Sequence, residues 1–139
     1  MDWKKQAVED LQSHELRQKG LQNIQRIVLA NQAVRTQKRP EEASALPAWS
    51  DHQLNFACEE ARLRKMKDAA AGLVEAVEHA LDMLTPEEKR VLEVFYIHRV
   101  PGHVAALMEE LGYEQRQIYK MKDKALYRFT LAMYGLTDF

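Results

Sequence analysis

Between Phe56 and Leu84 an apolar side chain recurs every seventh residue (Phe56, Leu63, Ala70, Val77, Leu84), and Met66, Leu73 and Ala80 fill the intervening positions. A period near 3.5 sustained over this length fits a long α-helix, because a strand would alternate every second residue. Glu59 breaks the first intervening position, while Val74 and Leu81 widen the stripe to a third column. A two-stranded coiled coil shows only two such columns, so this helix is predicted to pack on more than one partner. Two partners suit it: an earlier helix of the same chain, making a hairpin, and the same face of a second copy. Phe56, Leu63, Met66, Leu73 and Val77 are the candidate oligomerisation residues.

The rest of the chain has the same helical bias. Of its 139 residues 46% are hydrophobic and 29% charged, with only 5 Gly and 4 Pro, and β-branched runs are scarce, which favours an all-α fold. Trp3, Ala7 and Leu11 lie one turn apart; Leu21, Ile24 and Val28 continue the stripe, with Ile27 and Val34 beside it. Gly20 weakens the middle, so the segment from Trp3 to about Lys38 reads as one kinked helix or two shorter ones. Loss of periodicity and two prolines, Pro40 and Pro47, mark a linker at about 37–49. Ser50-Asp51-His52-Gln53 has the capping-box form and starts the heptad helix. The domain expectation is a helical arm over 1–84 and a separate domain over 85–139.

Several functional classes are excluded by composition. No apolar run approaches the roughly 20 residues that span a bilayer, and no signal-type core follows the N-terminus, so a soluble, cytoplasmic protein with no membrane partner is expected. Cys58 is the one cysteine, and the five histidines form no i,i+4 pair; they are read as surface or helix-end residues, with no metal and no cofactor. Paired carboxylates in an apolar setting, an activated nucleophile and a glycine-rich phosphate loop are all missing, which argues against an enzyme and a small-molecule substrate. Net charge is -1, but its distribution is uneven. Residues 1–39 carry 8 basic and 4 acidic groups, residues 40–85 carry 4 and 9, and residues 114–128 carry 5 and 2.

That last basic stretch follows three helix starts and stops. Thr85 as N-cap, Pro86 at the first helical position and Glu88 two further on begin a helix that runs through Val91, Leu92, Phe95 and Tyr96 to about His98. Pro101-Gly102 makes the next turn, and a short helix through Val104, Leu107, Met108 and Leu111 reaches Gly112, placed for a left-handed turn. Ile118, Met121, Ala125 and Phe129 then form one apolar stripe, and Gly135 caps the end. Arg116, Lys120 and Tyr127 fall on the opposite face, with Asp123 among them and Tyr119 and Lys124 at its edges. A short helix backed by apolar residues and faced with Arg, Lys, Gln and Tyr suits the DNA major groove.

The segment Leu84-Thr85-Pro86-Glu87-Glu88-Lys89-Arg90-Val91-Leu92, the pair Phe95-Tyr96, Glu109-Glu110-Leu111-Gly112-Tyr113 and the run from Ile118 to Leu126 resemble region 4 of bacterial sigma factors. More specifically, they resemble the phage-encoded transcriptional regulators of the ArpU and RinA kind, to which Leu11 to Ile24 is also loosely similar. The resemblance implies a trihelical, sigma region 4-like helix-turn-helix domain that binds double-stranded DNA through helix 114–133 and activates phage or prophage late genes in a bacterial host. It places base reading at Gln115, Arg116, Tyr119 and Lys120, and backbone contacts at Lys122, Lys124 and Arg128. The alternatives are a sigma-like module that contacts RNA polymerase, and a coiled-coil structural or packaging component of a phage. A homodimer is expected, since one such unit reads only a few base pairs. Two positions depart from the family pattern: Glu114 where Ser or Thr usually starts the reading helix, and Met108 where a small residue usually stands. Met108 must push its helix away or find its own pocket.

Overall fold

Thr85 shows how the sequence sets the architecture. In the computed structural model, which describes residues 2–36 and 51–137 (side chains of 34–36 and 51–53 excepted), its hydroxyl accepts the Glu88 backbone N–H at 3.2 Å. The Glu88 carboxylate accepts the Thr85 N–H at 3.2 Å in return, completing the capping box with Pro86 at the first helical position. Every regular element among the described residues is helical, without a strand: α1 Trp3–Thr36, α2 Asp51–Asp82, α3 Pro86–Leu92, α4 His103–Leu111 and α5 Gln115–Tyr134. The expected linker and the Ser50 cap lie outside the described residues. α1 runs through Gly20 as a single helix, because one glycine weakens but does not stop a helix whose neighbours are good formers.

α3 continues into a π-helical turn over Glu93–Ile97, closed by the His98 N–H donating to the Glu93 carbonyl at 2.7 Å. Six of the seven residues Val91–Ile97 are apolar, more than one face of an α-helix accommodates. The wider turn spreads them over two cores. One holds Val91, Val94, Phe95, Leu107 and Ile118, with Val104, Leu111, Tyr113 and Met121 packed against it. Met108 is half-buried and packs against the same cluster. The other core gathers Leu92, Ala125, Leu126 and Phe129 together with Ala7 and Leu11 of α1 and Val77, Ala80, Leu81 and Leu84 of α2.

This second core draws residues from both sides of Thr85. One compact unit comprises residues 1–16 and 73–139, and the other residues 17–72. The apolar arc of α5 is wider than the predicted stripe, since Leu126 and Thr130 are buried beside Ile118, Ala125 and Phe129, and the first turns of α1 and last turns of α2 cover the excess. Polar contacts follow the same edge: the Trp3 and Tyr134 rings lie 5.1 Å apart, the Tyr134 hydroxyl donates to Asp10, and His98 Nδ1 sits 3.2 Å from the Glu15 carboxylate. His14 corrects the expectation of surface histidines. It follows Ala7 and Leu11 on their stripe and is buried, with Nε2 4.0 Å from Glu78.

Among the described residues of the unit 17–72 burial is sparse. Val28 and Glu60 are buried, the latter accepting from Arg64 at 2.9 Å; Leu21 and Ile24 are half-buried and Ile27 is exposed. Of the candidate oligomerisation residues, Phe56 and Leu63 are half-buried and Met66 and Leu73 exposed, whereas Val77 is wholly enclosed in the core with Leu11 and Phe129. No helix among the described residues is long and apolar enough to cross a membrane.

Candidate nucleic-acid interface

Three glycines set the geometry around α5. Gly102 and Gly112 take left-handed backbone (φ 73° and 75°) at the two ends of α4, and the Gly112 N–H closes the α4 C-terminus on the Met108 carbonyl at 2.9 Å. Residues 112–114 then turn the chain into α5, which ends at Gly135 with the same left-handed cap. Glu114 is the N-cap in extended conformation, and its side chain makes no capping hydrogen bond. The helix start is thus held by packing and by the Ile118 N–H donating to the Glu114 carbonyl at 3.0 Å.

α5 is oriented by ties to both preceding helices. Its inner face packs on α3 and α4. Arg90 bridges α3 to α4, donating to both Glu110 oxygens at 3.0 and 3.3 Å and reaching Glu93 at 3.4 Å; these carboxylates, Glu110 foremost, strengthen its protonation. Tyr113, in the turn, donates to Glu87 at 3.4 Å. Arg128 donates to Glu88, joining α5 to the capping box that begins α3.

The outward face carries the predicted readers. Gln115, Arg116, Tyr119 and Lys120 are all exposed on the first turns of α5, and Lys124 is exposed one turn further on. Glu114, Arg116, Gln117, Lys120, Met121 and Lys124 line an open hollow along this face. Arg116, Lys120 and Lys124 recur every fourth residue, and among the described residues none of the three has an ion-pair partner within 4 Å. The remaining two cations of the predicted set are employed inside the chain. Arg128 neutralises Glu88, whose side chain is 7% exposed. Lys122 is half-buried, 3.4 Å from Asp123, with its ammonium over the Phe95 and Tyr119 rings.

Sequence reasoning missed the ring cluster behind this face. Phe95 meets His103 edge-on at 4.9 Å and Tyr119 edge-on at 5.8 Å. The signal was present as Phe95-Tyr96 and Tyr119, but only the π-helical turn shows which ring faces α5. Tyr96 lies at the same place, and burial, aided by Asp123 and opposed by Arg99, holds its phenol above the ordinary range. Fold and site together define an all-α protein that presents a cationic helix on an apolar support. Comparison with protein-family models, curated protein sequences and solved structures returns no match.

Proposed function

We propose that the chain is a sequence-specific regulator of transcription that binds double-stranded DNA as a homodimer and activates phage or prophage late genes. α4, the turn at 112–114 and α5 form the helix-turn-helix, with α5 in the major groove. The observation that carries this reading is the row of unpaired, exposed Arg116, Lys120 and Lys124 on a helix that buries Ile118, Ala125 and Phe129 on its opposite face. Arg and Lys meet guanine O6 and N7, and Gln115 suits adenine, so the first turns read bases while Lys124 neutralises a phosphate. The resemblance of residues 84–135 to sigma region 4 and to phage late-gene regulators supports the choice of target. Exposed Met66 and Leu73 supply an apolar face for the second subunit.

The test is a footprint on the intergenic DNA beside the gene, with the full chain. Two protected half-sites about 34 Å apart are expected. Arg116→Ala with Lys120→Ala should weaken binding by about a hundredfold, as loss of two base contacts implies. A wild-type chain that protects nothing refutes the reading. Promoter occupancy that survives the double substitution only when RNA polymerase is added points instead to a module that reaches promoters through the polymerase.

A further inference from the structure

Lys122 differs from the other cations of α5. Its side chain is 23% exposed, and its ammonium lies 5.7 Å from the Phe95 ring centre and 5.4 Å from that of Tyr119, with Asp123 at 3.4 Å. Phe95 is buried and fixed between His103 and Tyr119, so the Tyr119 ring has a rigid wall on one side and the ammonium against it. The rest of that ring is exposed on the same turns as Arg116 and Lys120.

We propose that Lys122 is a positioning residue that clamps the Tyr119 ring against Phe95, and that Tyr119, so held, determines base specificity by packing on a thymine methyl group. This rests on the DNA reading above. A lysine attracted by two ring faces and a carboxylate would have to leave all three to reach a phosphate. A ring fixed before binding loses little freedom on contact, which favours discrimination over mere adhesion. The thymine methyl is the apolar group that the major groove offers, and an aromatic surface has no stronger feature to meet there.

The experiment selects tight-binding duplexes from a random library with the wild-type chain, then measures affinity against salt for Lys122→Met, Lys122→Arg, Lys124→Met and Tyr119→Ala. Lys122→Met should weaken binding by about tenfold with the wild-type salt slope, and Lys122→Arg should recover most of it, since a guanidinium also stacks on rings. Lys124→Met should flatten the slope of the homodimer by about 1.8, the signature of one lost phosphate contact in each subunit. Replacing each thymine by uracil should reveal one position in each half-site where loss of the methyl costs wild-type chain about fourfold, and Tyr119→Ala and Lys122→Met should be indifferent to it. A Lys122→Met slope flattened by about 1.8 would make Lys122 an ordinary phosphate contact in each subunit and overturn the proposal while leaving DNA binding intact. Uracil sensitivity retained by Tyr119→Ala overturns it as well, even if Lys122→Met melts too early to measure. If no duplex is enriched, the DNA reading fails and takes this inference with it.

Discussion

Arg128→Met should destabilise the fold far more than removal of a surface cation would. Glu88 is 7% exposed and Arg128 is its counterion; the carboxylate's other contact is the Thr85 N–H, which shares Oε1, and Oε2 is buried without a hydrogen bond among the described residues. Removing one partner of a fully buried pair costs about 3–5 kcal/mol, because a charge is left without compensation. The Arg128 side chain is 41% exposed, so solvent screens part of the interaction, and about 2 kcal/mol is the reasonable share. For a chain of this size that corresponds to a fall in Tm of about 6–8 °C. Glu88→Gln keeps the capping-box geometry while removing the charge, so a double-mutant cycle with Arg128→Met isolates the pair. Urea denaturation of the four proteins should give a coupling of about 1.5 kcal/mol. A coupling below about 0.5 kcal/mol, the value of an exposed pair, would refute the engagement of Arg128 by Glu88 and return it to the cations proposed to face DNA.

The second core makes the N-terminus part of the C-terminal unit. Leu11→Ala should cost about 3 kcal/mol in urea denaturation, as for other fully enclosed leucines, and a loss below about 1 kcal/mol would mean that the first turns of α1 are dispensable. Tyr96 predicts an alkaline limit. Burial raises its folded-state pKa above the ordinary 10.0, so its contribution is intact below that pH and declines as pH rises through the higher folded value. Tyr96→Phe should therefore flatten the loss of stability above pH 10.0 in denaturation series, and an unchanged slope would assign that loss to other groups.

Helix identity was legible in the sequence because local signals agreed: Thr85, Pro86 and Glu88 for one start, Gly112 and Gly135 for two left-handed ends, and an apolar stripe through Ile118, Ala125 and Phe129. The partition into units was not legible. Periodicity states that Val77 and Leu11 are buried, but not which surface buries them, and a cut at the strong cap of Thr85 separates residues that share a core. The π-helical turn was hidden for a related reason: six apolar residues in seven admit a wider helix as readily as a crowded one, and tertiary contacts decide. His14 was misread because its stripe was interrupted there by polar Asp10 and Ser13, which a pattern of apolar residues does not follow.

The cations of α5 are fewer on its free surface than along its sequence. Along the sequence, residues 114–128 offer 5 cations. In the fold Arg128 is spent on Glu88 and Lys122 on Phe95, Tyr119 and Asp123, which leaves Arg116, Lys120 and Lys124 for a ligand, beside the exposed carboxylate of Glu114. If every one of the three displaced a counterion, the salt slope of one subunit could not exceed about 2.7 in magnitude, against about 4.5 for five. Charge alone therefore gives a single subunit weak, undiscriminating attachment. Under the DNA reading, specificity has to come from the geometry of Gln115, Arg116, Tyr119 and Lys120, and useful affinity from a second copy whose contacts add to the first. The cationic helix and an apolar face on α2 are then requirements of one another, because neither the exposed Met66 and Leu73 nor the three remaining cations suffice alone.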